Sequence, residues 1–538
     1  MLNGRMMDFP LTLTHLLDRA NTLFPKGEIV SRKADGSVHR CTYAAFHKRT
    51  CQLAGALARL GVKPGDRVAT LAWNHSRHLE IYFAVPTSGA VLHTLNLRLH
   101  PSDLAYIARH AEDKVVFVDE SLLPLLRQFL AQVPSIEHVV VMRDGASSDE
   151  FLDYETLIAP ENDSFSFPRL DENSAAVLCY TSGTTGNPKG VLFSHRSTVL
   201  HTLVTCMADT VAVSEADSIL AVVPMFHVNA WGLPFASICT GATIVLPGPK
   251  LDPKSLLDLM ASEKVTVAAG VPTIWLGILT LLDATPKGWD LSSLRKMLIG
   301  GSAAPVSMID GFAQRHNLDI THAWGMTETS PIGTMARVKR HLQSKDPAAQ
   351  LALKASQGYP VPFVEQRHTS EAGAVLPWDG ATMGELEVRG PWVAASYYGD
   401  QGPERFTADG WFKTGDVVTI DGEGYMRICD RSKDVIKSGG EWISSVELEN
   451  ALMSHPAVLE AAVFAGQHPK WDERPIAAVV LKEGKTATKE ELAAYLTPRF
   501  ASFWLPDAYI FVAQIPRTST GKFLKSKLRE LHGNMLMP

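Results

Sequence analysis

Residues Tyr180 to Gly190 read YTSGTTGNPKG and follow the apolar, strand-like run Ala175 to Cys179. Three glycines let main-chain N–H groups approach an anion, three threonines and a serine add hydroxyl donors, and Lys189 adds positive charge. A loop of this kind wraps phosphate. The Walker loop needs a glycine directly before its lysine, whereas Pro188 precedes Lys189, so that class is excluded. Taken alone the stretch also reads as a Ser/Thr/Gly-rich surface turn, and the sequence on either side has to decide.

Outward toward the N-terminus, helix and strand signals alternate. Leu53, Ala56, Leu57 and Leu60 recur at helical spacing before Gly61, a C-terminal cap. Strand-like Val68 to Leu71, a helix over about Ser102 to His110, and apolar runs at Val115 to Val118 and Val139 to Met142 follow. This rhythm predicts a layered α/β architecture. Beyond about residue 430 the style changes. Ser444 with Glu447 and Thr488 with Glu491 form capping-box patterns, and Ala461 to Ala465 and Ile476 to Leu481 have strand character. The expected division is a large N-terminal domain over 1–429 and a small α+β domain over 430–538, joined at the charged run Asp430 to Asp434.

The bulk properties agree. A chain of 538 residues must bury several cores, and 46% hydrophobic with 20% charged residues excludes disorder and collagen. The net charge of −6 gives no global pull toward nucleic acid or an anionic membrane, so a phosphate-bearing ligand must be held locally. Six cysteines stand well apart in sequence, which suggests neither a disulfide framework nor a zinc knuckle and fits a reducing, cytoplasmic location. The run Ser218 to Pro249 carries no acid, lysine or arginine, but Pro224, His227, Asn229 and Pro234 break it into the strand-like pieces Ile219 to Val223 and Thr243 to Leu246, so no membrane span is expected.

The loop has company. PMFHVNAW (Pro224 to Trp231), GGSAAP (Gly300 to Pro305), WGMTETS (Trp324 to Ser330), GELEVRGP (Gly384 to Pro391), WFKTGD (Trp411 to Asp416), DRSKDVIKSGGEWIS (Asp430 to Ser444) and PRTSTGK (Pro516 to Lys522) follow it in order. Together with YTSGTTGNPKG these motifs strongly resemble the adenylate-forming acyl-CoA synthetase family, most closely bacterial medium- and long-chain fatty acyl-CoA synthetases and methylthiopropionate ligases. The resemblance implies a two-step reaction: a carboxylate attacks the α-phosphate of ATP and releases pyrophosphate, and the CoA thiol then displaces AMP.

By resemblance, Thr184 and Glu328 hold Mg²⁺, a hard cation suited to hydroxyl and carboxylate oxygens. Lys522 would cancel charge on the attacking carboxylate and α-phosphate. Thr181, Ser182, Gly183, Thr185, Gly186 and Lys189 would wrap phosphate, with Thr327 beside them. Ser302 and Trp324 would flank adenine, with tryptophan standing where the family usually has tyrosine. Asp416 would take the ribose hydroxyls, with Arg431, Lys433 and Lys437 facing ribose and phosphate. His227 would orient the acid, although a lone histidine in an apolar run also reads as a core residue. Val228, Trp231 and Gly301 belong to acyl-pocket segments (Val228 to Phe235, Ala268 to Trp275, Gly300 to Ala304) that carry no charge, which implies an apolar acyl tail. Trp442 would lie on the nucleotide side. Asp430 would be the pivot about which the C-terminal domain turns, bringing Ser438, Gly439 and Gly440 toward CoA.

The leading reading is therefore an AMP-forming fatty acyl-CoA ligase. A 3-methylthiopropionate, short-chain or aryl-acid ligase is the near alternative, and a luciferase-like oxygenase or an ATP-binding module without chemistry the distant ones. Glu365 to Gly373 departs from the family's wording and receives no role. A homodimer rests on family analogy alone.

Overall fold

In the computed structural model, residues 2–145, 150–181, 187–439, 441–517 and 523–537 are described, Glu441 by its backbone only. Ser182, Gly183, Thr184, Thr185, Gly186, Gly440 and Lys522 lie outside the described residues.

The run Ala175–Tyr180 is a strand near one edge of a seven-stranded sheet, paired with Val91–Thr94 on one side and Gly190–Ser194 on the other. Arg67–Leu71, Asp113–Asp119 and His138–Met142 continue that sheet in parallel, because each is joined to the next by a helix that crosses over. The Leu53 to Leu60 periodicity is part of the helix Tyr43–Arg59, and Gly61 closes it at φ +77°. A second, nine-stranded sheet carries Ser218–Ala221, Val267–Gly270, Lys296–Ile299 and Ile320–Gly325 as parallel neighbours. The strand expected over Ile219 to Val223 stops at Ala221, where Val223 turns to donate to the Ala269 carbonyl ahead of Pro224. Helices fill the layers between the sheets, so these strands are buried and read as short continuous apolar runs.

A four-stranded antiparallel sheet follows, ending in Phe412–Ile420 and Met426–Arg431. Glu365 to Gly373, given no role from sequence, begins it as the strand Glu365–Thr369. The C-terminal part is a five-stranded sheet built on the long pair Val458–His468 and Asp472–Leu481, with its own buried core. Ser444 accepts from the Glu447 N–H at 3.2 Å, and Thr488 with Glu491 makes both bonds of the capping box. The molecule is thus a large layered α/β N-terminal domain with a smaller α+β C-terminal domain.

Among the described residues no helix is long and apolar enough to cross a membrane. The cysteines are less scattered in space than in sequence, since the Cys206 and Cys239 side chains meet between the helices His195–Cys206 and Leu233–Thr240.

Two buried histidines make the fold acid-sensitive. His78 donates from Nδ1 to the Trp73 carbonyl and accepts the Thr70 hydroxyl at Nε2, while His201 Nε2 accepts the Ile332 N–H at 3.3 Å. Both rings must be neutral, and burial holds each down to about 3. The unfolded chain binds these protons near pH 6.5, so their contribution is complete above that value and is lost as pH falls toward 3, at about 1.4 kcal/mol per pH unit per ring. The melting temperature is expected to fall steadily from about pH 6.5 to pH 4.5. A melting temperature unchanged over that interval would contradict the assignment.

Candidate active site

The parallel strands of the nine-stranded sheet deliver their carboxyl ends to one place. Ser218–Ala221 leads to His227 and Trp231, Lys296–Ile299 to Gly300 and Gly301, and Ile320–Gly325 to Thr327 and Glu328. From the other sheet Ala175–Tyr180 leads to Thr181. Open α/β sheets bind ligands at such an edge, and these residues line one cavity of about 340 Å³.

Its two ends differ in chemistry. At one end Thr181 and Lys189 bond to each other: the Thr181 N–H donates to the Lys189 carbonyl at 2.9 Å, and the Lys189 N–H donates to Thr181 Oγ1 at 3.1 Å. Among the described residues, Lys189, Arg405, Arg431 and Lys433 line the cavity against two carboxylates, Glu328 and Asp434. The buried Arg405 Nε has no hydrogen-bond partner among the described residues. Burial holds Lys433 below its ordinary range, with Asp434 opposing. Glu328 is buried and its Oε1 accepts the Tyr397 hydroxyl at 2.6 Å. Burial pushes the Tyr397 hydroxyl far up, helped by the neighbouring Glu328 charge, so Tyr397 stays a donor. Its ring in turn lies 5.0 Å beneath the Lys189 ammonium.

At the other end the walls are Val211, Leu233, Leu298, Ile332 and Met335, with Trp231 between the two regions. Val228 to Trp231 form a left-handed turn, at φ +43°, +54°, +48° and +57°, closed by Gly232 at +78°. For residues with a Cβ this costs on the order of 1–2 kcal/mol each, and for β-branched Val228 it is a marked outlier. The turn is held by Asn229, whose Oδ1 accepts from the Cys179 thiol at 3.6 Å and lies 3.4 Å from the Tyr82 hydroxyl, which itself donates to the Met225 carbonyl. It leaves half-buried His227 and Trp231 on the cavity wall. A Cβ on Gly300 would stand 2.9 Å from the Ala323 carbonyl and 3.1 Å from the Trp231 ring, so only glycine permits this approach.

A second cavity, of about 800 Å³, adjoins the first and runs between the N- and C-terminal parts. Ser302, Asp416 and Asp430 line it, and Trp324, Gly301 and Arg431 line both. The Trp324 indole donates to Asp416 Oδ2 at 2.9 Å, and Arg431 Nε stands 2.8 Å from Asp416 Oδ1. The structure therefore joins three sequence-selected residues into one unit, with Trp324 and Asp416 buried and Arg431 partly exposed.

Others stay apart. Lys437 pairs with Glu371 at 2.6 Å and lies 5.5 Å over the Trp442 ring, outside both cavities. Ser438 accepts from Arg474, and Gly439 donates to the Trp471 carbonyl. Trp275, from an expected acyl segment, is core instead: it is fully buried and donates to the Gly270 and Leu298 carbonyls. Sequence reasoning missed Tyr397 and Arg405. The one signal for Arg405 was its place in a Gly/Pro-containing loop just before WFKTGD.

Residues 17–398 match the AMP-binding enzyme family and residues 447–522 its C-terminal domain. The chain belongs to the AMP-binding enzyme family. It is an acid–thiol ligase of the AMP-forming class. It is 51% identical to the long-chain-fatty-acid–CoA ligase of Thermus thermophilus, over 98% of this chain and 97% of that one. It is 46% identical to the 3-methylmercaptopropionyl-CoA ligase of Ruegeria pomeroyi, over 99% of each. Its fold matches a solved anthranilate CoA ligase in complex with anthranoyl-AMP with a TM-score of 0.87, at 26% identity over 98% of each chain.

Proposed function

We propose that this ligase couples an apolar, straight-chain carboxylic acid of medium or long chain to CoA through an acyl-adenylate. The observation that carries the reading is a single cavity with four cationic side chains at its phosphate-loop end and an aliphatic wall at its other end. A triphosphate and an alkyl tail each need one of these environments, and the reacting carboxylate would lie between them, at His227 and Trp231.

Lys189, Arg405, Arg431 and Lys433 would hold the phosphates, and the Trp324–Asp416 unit would place the adenosine. Glu328 suits a hard divalent cation: it is a buried carboxylate fixed by Tyr397 and open to the phosphate end, where Thr184 and substrate phosphates would complete the set. Mg²⁺ bound there would supply charge neutralisation for the leaving pyrophosphate. Lys522 would donate to the α-phosphate oxygens as charge accumulates. The C-terminal domain, 430–538, would then turn about Asp430 and offer Ser438, Gly439 and Gly440 to the CoA arm. A second reading, 3-methylthiopropionate as the acid, is supported by the 46% identity to the Ruegeria pomeroyi ligase. A cytoplasmic location is supported by six cysteines that are all free, and a homodimer by likeness alone.

The test is a panel of carboxylic acids with ATP, CoA and Mg²⁺, read by pyrophosphate release. Each added methylene is expected to contribute up to about 0.8 kcal/mol until the tunnel ends, and chelating Mg²⁺ should abolish turnover. If amino acids or dicarboxylates outperform every fatty acid, the apolar end is not the acyl site. If 3-methylthiopropionate outperforms them, the second reading holds. Light emission with oxygen uptake would show an oxygenase.

A further inference from the structure

Directly beyond the lysine segment lies a buried charge cluster that the reaction scheme leaves unused. Lys525 is 8% exposed, opens the helix Lys525–His532, and places its ammonium 2.7 Å from Glu449 Oε1 and 3.8 Å from Asp430 Oδ1. The ammonium also donates to the Ser445 hydroxyl, which donates to Asp430 Oδ2, and the Ser445 N–H reaches the same oxygen at 3.1 Å. Glu449 Oε1 accepts in addition from the Val463 N–H at 2.8 Å. Asp434, paired with Arg529 at 2.6 Å, faces the cluster from the same turn as Asp430.

Three elements meet here: the strand Met426–Arg431, the helix Ser445–Met453 and the helix that follows the lysine segment. Burying two acids and an ammonium is costly, and packed apolar side chains would join the helices at least as stably. What the charges add is register. Upstream, the same segment is pinned by Leu524 N–H donating to the Pro516 carbonyl at 2.7 Å and by the bridge between Arg517 and Phe523, whose ring lines both cavities. Lys522 lies three residues from Lys525, at most about 10 Å of extended chain.

We propose that Lys525 is a positioning residue for adenylation: its ammonium, clamped by Glu449, Ser445 and Asp430, fixes the segment carrying Lys522 in register with the pivot. The inference rests on Lys522 being the adenylation lysine. The clamp belongs to the C-terminal part, with Asp430 at its boundary and its carboxylate held by Ser445. The pivot's side chain therefore travels with the smaller domain, and rotation falls on the backbone around it.

The experiment is a double-mutant cycle on the full-length enzyme, with the two half-reactions read separately. A displacement of about 1 Å at a reacting group can cost about 10²-fold. Lys525→Met is accordingly expected to slow single-turnover pyrophosphate release by about ten- to a hundredfold, with KM for ATP changed less than about threefold. Thioester formation from supplied acyl-adenylate and CoA should change less than about threefold. In a Lys522→Ala background, Lys525→Met should cost nothing further, within about twofold. Multiplicative losses, equal loss in both half-reactions, or a wild-type rate in Lys525→Met would each overturn the proposal. If Lys525→Met fails to fold, Glu449→Leu/Lys525→Met, which leaves no unpaired partner of that ion pair, carries the same cycle. If Lys522→Ala itself adenylates normally, the reading of Lys522 falls and the anchor with it. If Lys522→Ala is slow and Lys525→Met is not, only the anchor falls.

Discussion

Lys522→Ala is expected to slow acyl-adenylate formation by about 10²- to 10³-fold, the range seen when one preorganised donor to developing charge is removed. In the adenylation transition state negative charge builds on the α-phosphate and on the incoming carboxylate. The cations that line the cavity, Lys189, Arg405, Arg431 and Lys433, are proposed to hold the phosphates and would bind substrate and transition state alike. On the proposed domain rotation Lys522 is different, because it would complete the site only while the C-terminal domain is docked. Phe523 lines the cavity, so the chain returns to the site directly after Lys522. Supplying a synthetic acyl-adenylate with CoA should restore thioester production in the variant. Equal loss in both half-reactions would show that Lys522 serves something other than charge on the α-phosphate.

How far the sequence carried depends on how local each signal was. The strand Ala175–Tyr180, the helix Tyr43–Arg59 with its terminal glycine, and the Thr488–Glu491 capping box were legible because propensity, cap and periodicity lie within a few residues. The aliphatic wall of the cavity was not. Val211, Leu298, Ile332 and Met335 come from separate elements, and each reads as ordinary core until the sheets bring them together. Trp275 failed for the same reason in reverse, since nothing in Ala268 to Trp275 distinguishes a pocket wall from a core face. The left-handed turn Val228 to Trp231 runs against the local preference of a β-branched residue, and Tyr82 and Cys179, from distant segments, meet its Asn229 side chain. Asp430 read only as part of the charged run joining two domains. It is 2% exposed, and Lys525, far along the chain, and Ser445 take up its charge.

That burial sharpens what Asp430→Pro should do. Proline fixes φ near −65° and so restricts the backbone at the proposed pivot; it also deletes the carboxylate that Ser445 and Lys525 hold. The first effect acts on domain rotation and the second on the lysine segment. Adenylation needs the docked arrangement alone, so it is expected to stay within about tenfold of wild type, the shortfall coming from the lost carboxylate. On the proposed rotation thioester formation would need the turned arrangement and is expected to fall much further, because one rigid placement could not hold Lys522 in the site while CoA enters it. Asp430→Ala separates the two causes. It removes the carboxylate and leaves φ free, so it should share the modest adenylation loss and keep thioester formation within about threefold of wild type. Single-turnover rates of both half-reactions in the two variants decide between them. If Asp430→Pro and Asp430→Ala slow thioester formation equally, the buried charge and not the backbone controls the second step, and the pivot lies elsewhere along Asp430 to Asp434.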